Sequence, residues 1–198
     1  MARSQYIQPP IFNALLLLLH PENAEALRLS LDYGMRIGDV LKMPIEALSS
    51  GVYSFKESKT GKRRRVKLSA THREILASFA GKHYVFEHRL DFHKHRCRQT
   101  VYKDIKRLAT ALGYKGITPH SARKIYAVDA FHKTGDLTKV QKWLNHSDPA
   151  VTALYALADV MQKTPPKPNS HHSPAKAPRP RRGSITGSDS DKKTDTPS

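Results

Sequence analysis

The chain has 198 residues and a formal net charge of +17 at pH 7, which is enough length for one ordinary domain and a tail. So strong a positive field attracts polyanions, which makes nucleic acid the first partner to consider and an anionic membrane surface the second. A single cysteine, Cys97, excludes an internal disulfide and fits a reducing compartment.

Residues 1–20 are predicted to be a lead-in to the domain. Their apolar run, residues 14–19, is far shorter than the roughly 20 residues of a membrane-spanning helix, so it predicts a buried helix of a soluble protein. Pro21 begins a second helix with an apolar stripe. Gly34 is predicted to end that helix, because glycine adopts the left-handed conformation at the least cost.

Arg36 lies at a predicted corner between two helices. Residues 35–41 form a short helix that ends before Pro44, since the residue before a proline avoids helical geometry. Judged by residue type alone, Arg36 is either a solvated side chain or the partner of Asp39 in an ion pair.

A basic β-hairpin is predicted next. Residues 52–58 alternate as a half-buried strand does, residues 59–62 supply a turn, and residues 63–68 return. Lys59 then lies near the tip, where a lysine can reach into a DNA groove or simply keep the hairpin soluble. The neighbouring candidates for DNA contact are Lys62, Arg63 and Arg64.

Two further amphipathic helices are predicted. Ser69 caps the first, which extends to about Phe79, and residues 99–112 form the second, whose basic outer side faces either phosphates or water. The predicted buried positions of the first helix are Ile75, Leu76 and Phe79. Those of the second are Val101, Ile105, Leu108, Ala109 and Leu112.

Residues 83–98, between these helices, show no clear period. His88, His93, His95 and Cys97 raise the question of a metal site, but no pair has the spacing of a structural zinc knuckle. Histidines that face solvent or phosphate are therefore favoured, and no cofactor is predicted.

The stretch from Thr118 to Ala156 carries the residues that point to chemistry. Thr118 predicts the N-cap of a helix, and Pro119 fits its first turn. His120 and Arg123 then share one face near the positive end of that helix. A donor pair in this position indicates a site built around a phosphate.

Two later helix starts follow in the same stretch. Asp136 begins one helix, Asp148 begins another after His146, and Tyr155 lies on the last. A tyrosine hydroxyl is a sensible nucleophile where the product must stay attached to the protein. Its solution pKa of about 10 means that it needs a base or a strong positive field. Core-edge roles are the structural alternative for His146 and Tyr155.

Together the candidate residues can act on a phosphodiester. Two arginines can grip its non-bridging oxygens, a histidine can take or lend a proton, and a lysine can protonate a departing 5′ oxygen. This scheme needs neither a metal nor a nucleotide cofactor. The six candidates are Arg36, Lys59, His120, Arg123, His146 and Tyr155.

These motifs resemble those of the tyrosine recombinase (phage integrase) family in its catalytic domain. The similar segments are residues 34–39 for the first arginine, 59–62 for the hairpin lysine and 120–123 for His-x-x-Arg, then 144–146 with Thr152 and Tyr155. Each motif alone is weak, but all of them in order make a strong signal. The resemblance covers roughly residues 21–158.

The resemblance implies a mostly helical α+β catalytic domain with a small antiparallel β-hairpin or sheet. We expect this domain at residues 21–162, after the lead-in of residues 1–20. Residues 163–198 are predicted to be a disordered basic tail, because seven of the thirteen prolines lie there with almost nothing apolar. The tail either adds non-specific DNA affinity or is an inert solubilising segment.

The resemblance also implies site-specific breakage and rejoining of double-stranded DNA by a tetramer, in the cytoplasm of a bacterial host. Tyr155 would attack the scissile phosphate and leave a 3′-phosphotyrosyl linkage. The roles implied for the others are phosphate binding by Arg36 and Arg123, general acid for Lys59, proton acceptor for His120, and phosphate-side hydrogen-bond donor for His146.

Departures from the family pattern bear on these expectations. Asp39 replaces a glutamate, Asn145 replaces a glycine whose left-handed geometry asparagine tolerates, and Lys124 replaces a second histidine, adding charge beside the site and a candidate DNA contact. About twenty residues leave no room for the usual N-terminal core-binding domain, and residues 157–163 are short for the family's docking helix. The alternatives are a type IB topoisomerase activity and a catalytically idle DNA-binding protein with this fold.

Overall fold

A computed structural model describes residues 4–145 of the chain. The predicted helix start at Asp148, the candidates His146 and Tyr155, and the predicted tail lie outside the described residues. The described part contains eight helices and two separate two-stranded antiparallel sheets. The mostly helical α+β prediction with a small antiparallel hairpin is thereby confirmed.

The helices and strands follow one another in chain order. The helices are α1 Pro9–Leu17, α2 Pro21–Tyr33, α3 Ile37–Val40, α4 Glu46–Ser50, α5 Ala70–Ala77, α6 Arg98–Ala111, α7 Pro119–Thr134 and α8 Leu137–Leu144. The strands are β1 Val52–Lys56, β2 Arg63–Lys67, β3 Glu87–His88 and β4 Asp91–His95.

Local capping chemistry sets several of the helix ends. The hydroxyl of Ser69 accepts the backbone N–H of His72 at the start of α5. At the start of α8, Oδ1 of Asp136 accepts the backbone N–H groups of Thr138 and Lys139. These bonds satisfy donors that have no partner inside the helix, which is why short polar residues begin helices.

One apolar core joins helices and hairpin. Helix α1, which the sequence assigned to the lead-in, places Phe12, Leu15 and Leu16 in the same core as α2, α6 and α7. Burying a side chain of this size contributes roughly 1.5–3 kcal/mol, so α1 is an integral part of the fold. A smaller cluster joins α7 to α8 through Ala127, Ala130, Val140 and Leu144.

The predicted hairpin is present as β1–β2, but its first strand ends at Lys56 instead of Ser58. Val52 is opposite Lys67, and Lys56 is opposite Arg63, so the turn holds residues 57–62. Tyr53 and Val66 form a facing pair and both are buried. The hydroxyl of Tyr53 donates to the backbone oxygen of Asp39 at 2.8 Å, which fastens the hairpin to α3.

The hairpin β3–β4 is an element that the sequence pattern did not indicate. Its residues are half-buried or exposed on both faces, so the apolar alternation that predicts a strand is missing. Backbone hydrogen bonds attach the residues just before β3 to the segment before α4, from Val85 to Met43 at 3.0 Å and from Ile45 to His83 at 3.1 Å.

Two predicted core residues are exposed. Ile75 is 38% exposed because α5 turns the neighbouring Leu76 fully inward. Leu112 is 50% exposed because it is the C-cap of α6, where the chain leaves the helix and its buried stripe ends. Both predictions were wrong for reasons that the helical period alone does not reveal.

Candidate functional site

Gly34 is the backbone junction of the candidate site. It ends α2 with a φ of 61°, as the sequence predicted. The ring of Tyr126 occupies the space a side chain would need, since a Cβ on Gly34 would lie 2.4 Å from its Cδ1. The carbonyl of Gly34 accepts hydrogen bonds from Nη1 of Arg123 at 2.7 Å and Nη1 of Arg64 at 3.1 Å.

Arg36 lies two residues later, at the N-cap of α3. Its Nη1 donates to Oε2 of Glu57 at 2.6 Å, and its side chain is only 14% exposed. Neither sequence alternative for Arg36 is observed, because it is not a solvated residue and its partner is Glu57 instead of Asp39.

Asp39 shapes the turn that carries Lys59. Its Oδ1 accepts both the backbone N–H of Ser58 at 3.0 Å and the Ser58 hydroxyl at 2.8 Å. The hydroxyl of Thr60 donates to Glu57 at 2.7 Å. Two carboxylates therefore hold the residues on either side of Lys59, whose own side chain is exposed. Asp39 thus holds the backbone and the hydroxyl of Ser58, while Arg36 is bound by Glu57.

His120 and Arg123 start the long helix α7. Thr118 caps it in a reciprocal arrangement with Ser121, and Pro119 lies in its first turn, as predicted. Although His120 is exposed at the surface, desolvation by its surroundings lowers its pKa below the ordinary value, and the positive charges of Arg123, Arg36, Lys59 and Lys124 lower it further. His120 is therefore neutral at neutral pH and able to accept a proton.

Arg123 is buried and bridges three parts of the fold. While Nη1 donates to Gly34, Nη2 donates to the carbonyl of Leu144, the last residue of α8. The next residue, Asn145, has a φ of 51°, the left-handed geometry expected where the family has glycine. Arg123 thus fixes the point from which the chain continues toward His146.

Arg64, on β2, is half-buried at the same junction. Its side chain is 12% exposed, and its guanidinium donates to the carbonyls of Tyr33 and Gly34 and lies 3.5 Å from Glu57. These contacts give Arg64 a structural role at the Gly34 junction, and its predicted role as a DNA contact stays a prediction. Lys62 and Arg63 are exposed, as a DNA contact requires.

Lys124 is half-buried beside the same helix start. Its Nζ donates to the backbone carbonyl of Ser4, so it also ties α7 to the N-terminal segment. Its positive charge is one of those that lower the pKa of His120. Its predicted role as a DNA contact stays a prediction.

The fold brings four of the six predicted residues together. The positive charges of Arg36, Lys59 and Arg123 all act on His120, although Arg36 and His120 are far apart in the chain. His146 and Tyr155 lie outside the described residues. The sequence analysis missed Glu57. The feature that could have revealed it is that the alternation of residues 52–58 places this carboxylate on the buried side of the strand, together with Tyr53.

Two further properties concern the described part only. Within residues 4–145, no three His, Cys, Asp or Glu side chains are grouped as a metal site. None of the helices in that part has both the length and the apolar character that a membrane span requires.

Comparison with known proteins gives a family match over most of the chain. The model described as the phage integrase family matches residues 13–161. A curated relative, the probable integrase/recombinase YoeC of Bacillus subtilis (strain 168), is 25% identical over 126 residues, which make up 61% of this chain and 69% of that protein.

Solved structures show the same fold. The XerH site-specific recombinase bound to palindromic difH substrate has a TM-score of 0.62 at 20% identity, covering 80% of this chain and 51% of that chain. A lambda integrase dimer bound to a COC′ core site has a TM-score of 0.62 at 18% identity, covering 86% of this chain and 52% of that chain. The chain spans about half the length of these two structures.

Proposed function

Since the chain belongs to the phage integrase family, we propose that it is a site-specific DNA recombinase that breaks and rejoins double-stranded DNA through Tyr155. The observation that carries this proposal is the geometry around Gly34: Arg123, one helical turn after His120, binds Gly34 two residues before Arg36, and Arg36 binds Glu57 two residues before Lys59. Such a cluster offers an anion two planar donors, one mobile cation and one base, which are the groups that phosphoryl transfer requires.

In the first step, Tyr155 attacks the scissile phosphorus and its hydroxyl proton passes to His120. A new bond forms between the tyrosine oxygen and phosphorus as the bond to the 5′ oxygen breaks. Lys59 gives a proton to that oxygen, so that a 5′ hydroxyl leaves. The energy of the ester is kept in the 3′-phosphotyrosyl link, and the second step reverses the sequence with a 5′ hydroxyl from the partner duplex.

The arginines stabilise the negative charge that develops on the phosphate between attack by Tyr155 and departure of the 5′ oxygen. Arg36 and Arg123 donate to the non-bridging oxygens, on which negative charge grows in the five-coordinate transition state. His146 supplies a further donor on the same side. A lowered pKa suits His120 to its role, because a protonated imidazole could not accept the tyrosine proton.

We assign the catalytic domain to residues 21–162 together with α1, and the basic tail to residues 163–198. DNA is held first by the net charge of +17, with Lys62, Arg63 and Lys124 near the site. The named relatives include a recombinase on its substrate and an integrase dimer on a core site. We therefore propose assembly of several copies on DNA, four in the complete reaction, inside a bacterial host cell.

The test is covalent capture of DNA by the full chain. A library of nicked duplexes of randomised sequence is incubated with the protein, and adducts that survive denaturant are sequenced. We expect Tyr155-dependent adducts enriched in one sequence, whereas adducts without sequence preference would indicate a topoisomerase. Binding without any adduct would leave the catalytically idle protein as the correct description.

A further inference from the structure

Glu57 is a buried carboxylate that takes no part in the phosphoryl-transfer steps proposed above. Its side chain is fully buried in the turn of the first hairpin. Around it lie Arg36 from α3, Thr60 from the turn and Arg64 from β2, at 2.6, 2.7 and 3.5 Å. One carboxylate thus connects three separate segments of the chain.

This carboxylate is ionised despite its burial. Burial raises the pKa of Glu57, but hydrogen bonds from Thr60 and Arg36 and the charges of Arg36 and Arg123 outweigh it, so the pKa lies below its ordinary value. A buried anion is tolerated only when it is paired and hydrogen-bonded. The Glu57 carboxylate and the neighbouring guanidinium groups therefore stabilise one another in their charged forms.

The contact with Arg36 uses only part of its guanidinium. Nη1 is bound to Glu57, and among residues 4–145 no hydrogen bond involves Nε or Nη2 of Arg36. Nε and Nη2 form the edge with which an arginine can bind an oxyanion in a bidentate manner. Glu57 can therefore fix the plane of the guanidinium without blocking phosphate.

Thr60 extends the same control to the hairpin turn. Its hydroxyl donates to Oε2 of Glu57, the oxygen that also accepts Arg36. Thr60 directly follows Lys59 in the chain. The Glu57 carboxylate therefore fixes the position of Arg36 and, through Thr60, the backbone next to Lys59. The two groups reach DNA from different elements, so a shared anchor keeps their spacing constant.

We propose that Glu57 is the positioning residue that aligns Arg36 and the Lys59 turn for one phosphate. This inference rests on the proposed recombinase function and deepens it. Glu57 touches neither DNA nor the reacting atoms in this account. It converts two mobile cations into a preorganised pair, which is the condition under which such groups stabilise a transition state.

The test removes the negative charge of Glu57 while keeping the shape of its side chain. Glu57→Gln in the full chain removes one negative charge near DNA, so affinity for the captured duplex should be unchanged or higher. Single-turnover adduct formation at saturating protein should fall at least about tenfold, because Arg36 is no longer held. Glu87→Gln is the matched control, since Glu87 on β3 accepts the backbone N–H groups of Lys82 and His83 instead.

If Glu57 had a purely structural role, the Glu57→Gln variant would show a different combination of stability and adduct rate. Glu57→Gln would then lower the thermal midpoint but leave the adduct rate per folded molecule at the wild-type value, and that result would overturn the proposal. Glu57→Asp keeps the charge on a shorter stem and should recover part of the rate lost in Glu57→Gln. Equal rates in the Asp and Gln variants would also contradict it.

A second measurement does not depend on cleavage. In ¹⁵N spectra of the arginine side chains, the Arg36 guanidinium should rotate slowly in the wild type and quickly in Glu57→Gln, with exposed Arg63 fast in both. Fast rotation of Arg36 in the wild type would overturn the positioning role. Slow rotation in a wild type that forms no adduct would refute the recombinase proposal alone.

Discussion

Replacing Gly34 with alanine tests the junction on which the two buried arginines depend. Two costs add at this position. A residue with a Cβ at a φ of 61° is strained by roughly 1–2 kcal/mol. The new methyl would also lie 2.4 Å from Cδ1 of Tyr126 and force the ring to move, and overpacking of this kind costs roughly 1–3 kcal/mol. Gly34→Ala should therefore lower the free energy of unfolding by about 2–5 kcal/mol.

The chain contains a control that separates these costs. Gly135 ends α7 at a φ of 64°, and a Cβ there would meet nothing within 4 Å. Gly135→Ala should therefore show only the backbone strain, about 1–2 kcal/mol. In a Tyr126→Ala background, Gly34→Ala should fall to the same value, because the ring that it contacts is gone.

Urea unfolding of the four variants, followed by circular dichroism, measures these differences. We expect a coupling of about 1–3 kcal/mol between Gly34→Ala and Tyr126→Ala. If Gly34→Ala costs no more than Gly135→Ala in the wild-type background, the close approach of Tyr126 does not determine the junction. Packing against Tyr126 would then not be the reason that position 34 requires glycine.

Three further variants test the roles of individual charged side chains. Arg63→Ala and Arg64→Ala compare an exposed arginine with a half-buried one, and His120→Gln tests the lowered pKa of the histidine. Arg63→Ala should keep the wild-type unfolding midpoint and lower the slope of log affinity against log salt by about 1. Arg64→Ala should cost roughly 1–3 kcal/mol of stability, because it removes the donors to the carbonyls of Tyr33 and Gly34 and one of the two cations beside buried Glu57; an unchanged midpoint would contradict its structural role. Because the pKa of His120 is lower in the folded than in the unfolded chain, the unfolded chain binds more protons as the pH falls below about 6.5, and stability decreases. His120→Gln should lessen the loss of stability between pH 7 and pH 5, and identical pH dependence in both proteins would count against the shift.

Local signals in the sequence predicted the helix boundaries well. A capping hydroxyl or carboxylate acts on N–H groups two or three residues away, so Ser69, Thr118 and Asp136 carry their own evidence. The left-handed end of α2 at Gly34 is equally local. Alternation over β1 and the turn at Lys59 predicted the first hairpin for the same reason.

Partners across the fold could not be predicted in this way. Nothing near Glu57 in the chain indicates that it pairs with Arg36, and the acidic residue nearest to Arg36 in the chain, Asp39, binds Ser58 instead. Arg64 appeared to be one more cation of a basic strand, yet it faces inward to reach the end of α2. Which arginines bind phosphate and which hold the structure together depends on tertiary contacts.

The chemistry of the site was predicted from motif order rather than from any one residue. Four members, Arg36, Lys59, His120 and Arg123, converge in the described part of the chain. The sequence could not predict that Arg123 would bridge Gly34 to the end of α8. Tyr155, the proposed nucleophile, rests on its spacing in the family motif and on the experiment below.

The most direct test of the central claim is the covalent adduct between the full chain and DNA. Wild-type protein and Tyr155→Phe are each incubated with the nicked duplex library and separated under denaturing conditions. We predict a denaturant-resistant adduct for the wild type, with a 5′ hydroxyl on the released strand and phosphate linked to Tyr155 in the attached peptide. An adduct that persists in Tyr155→Phe, or its absence from the wild type, would contradict the account.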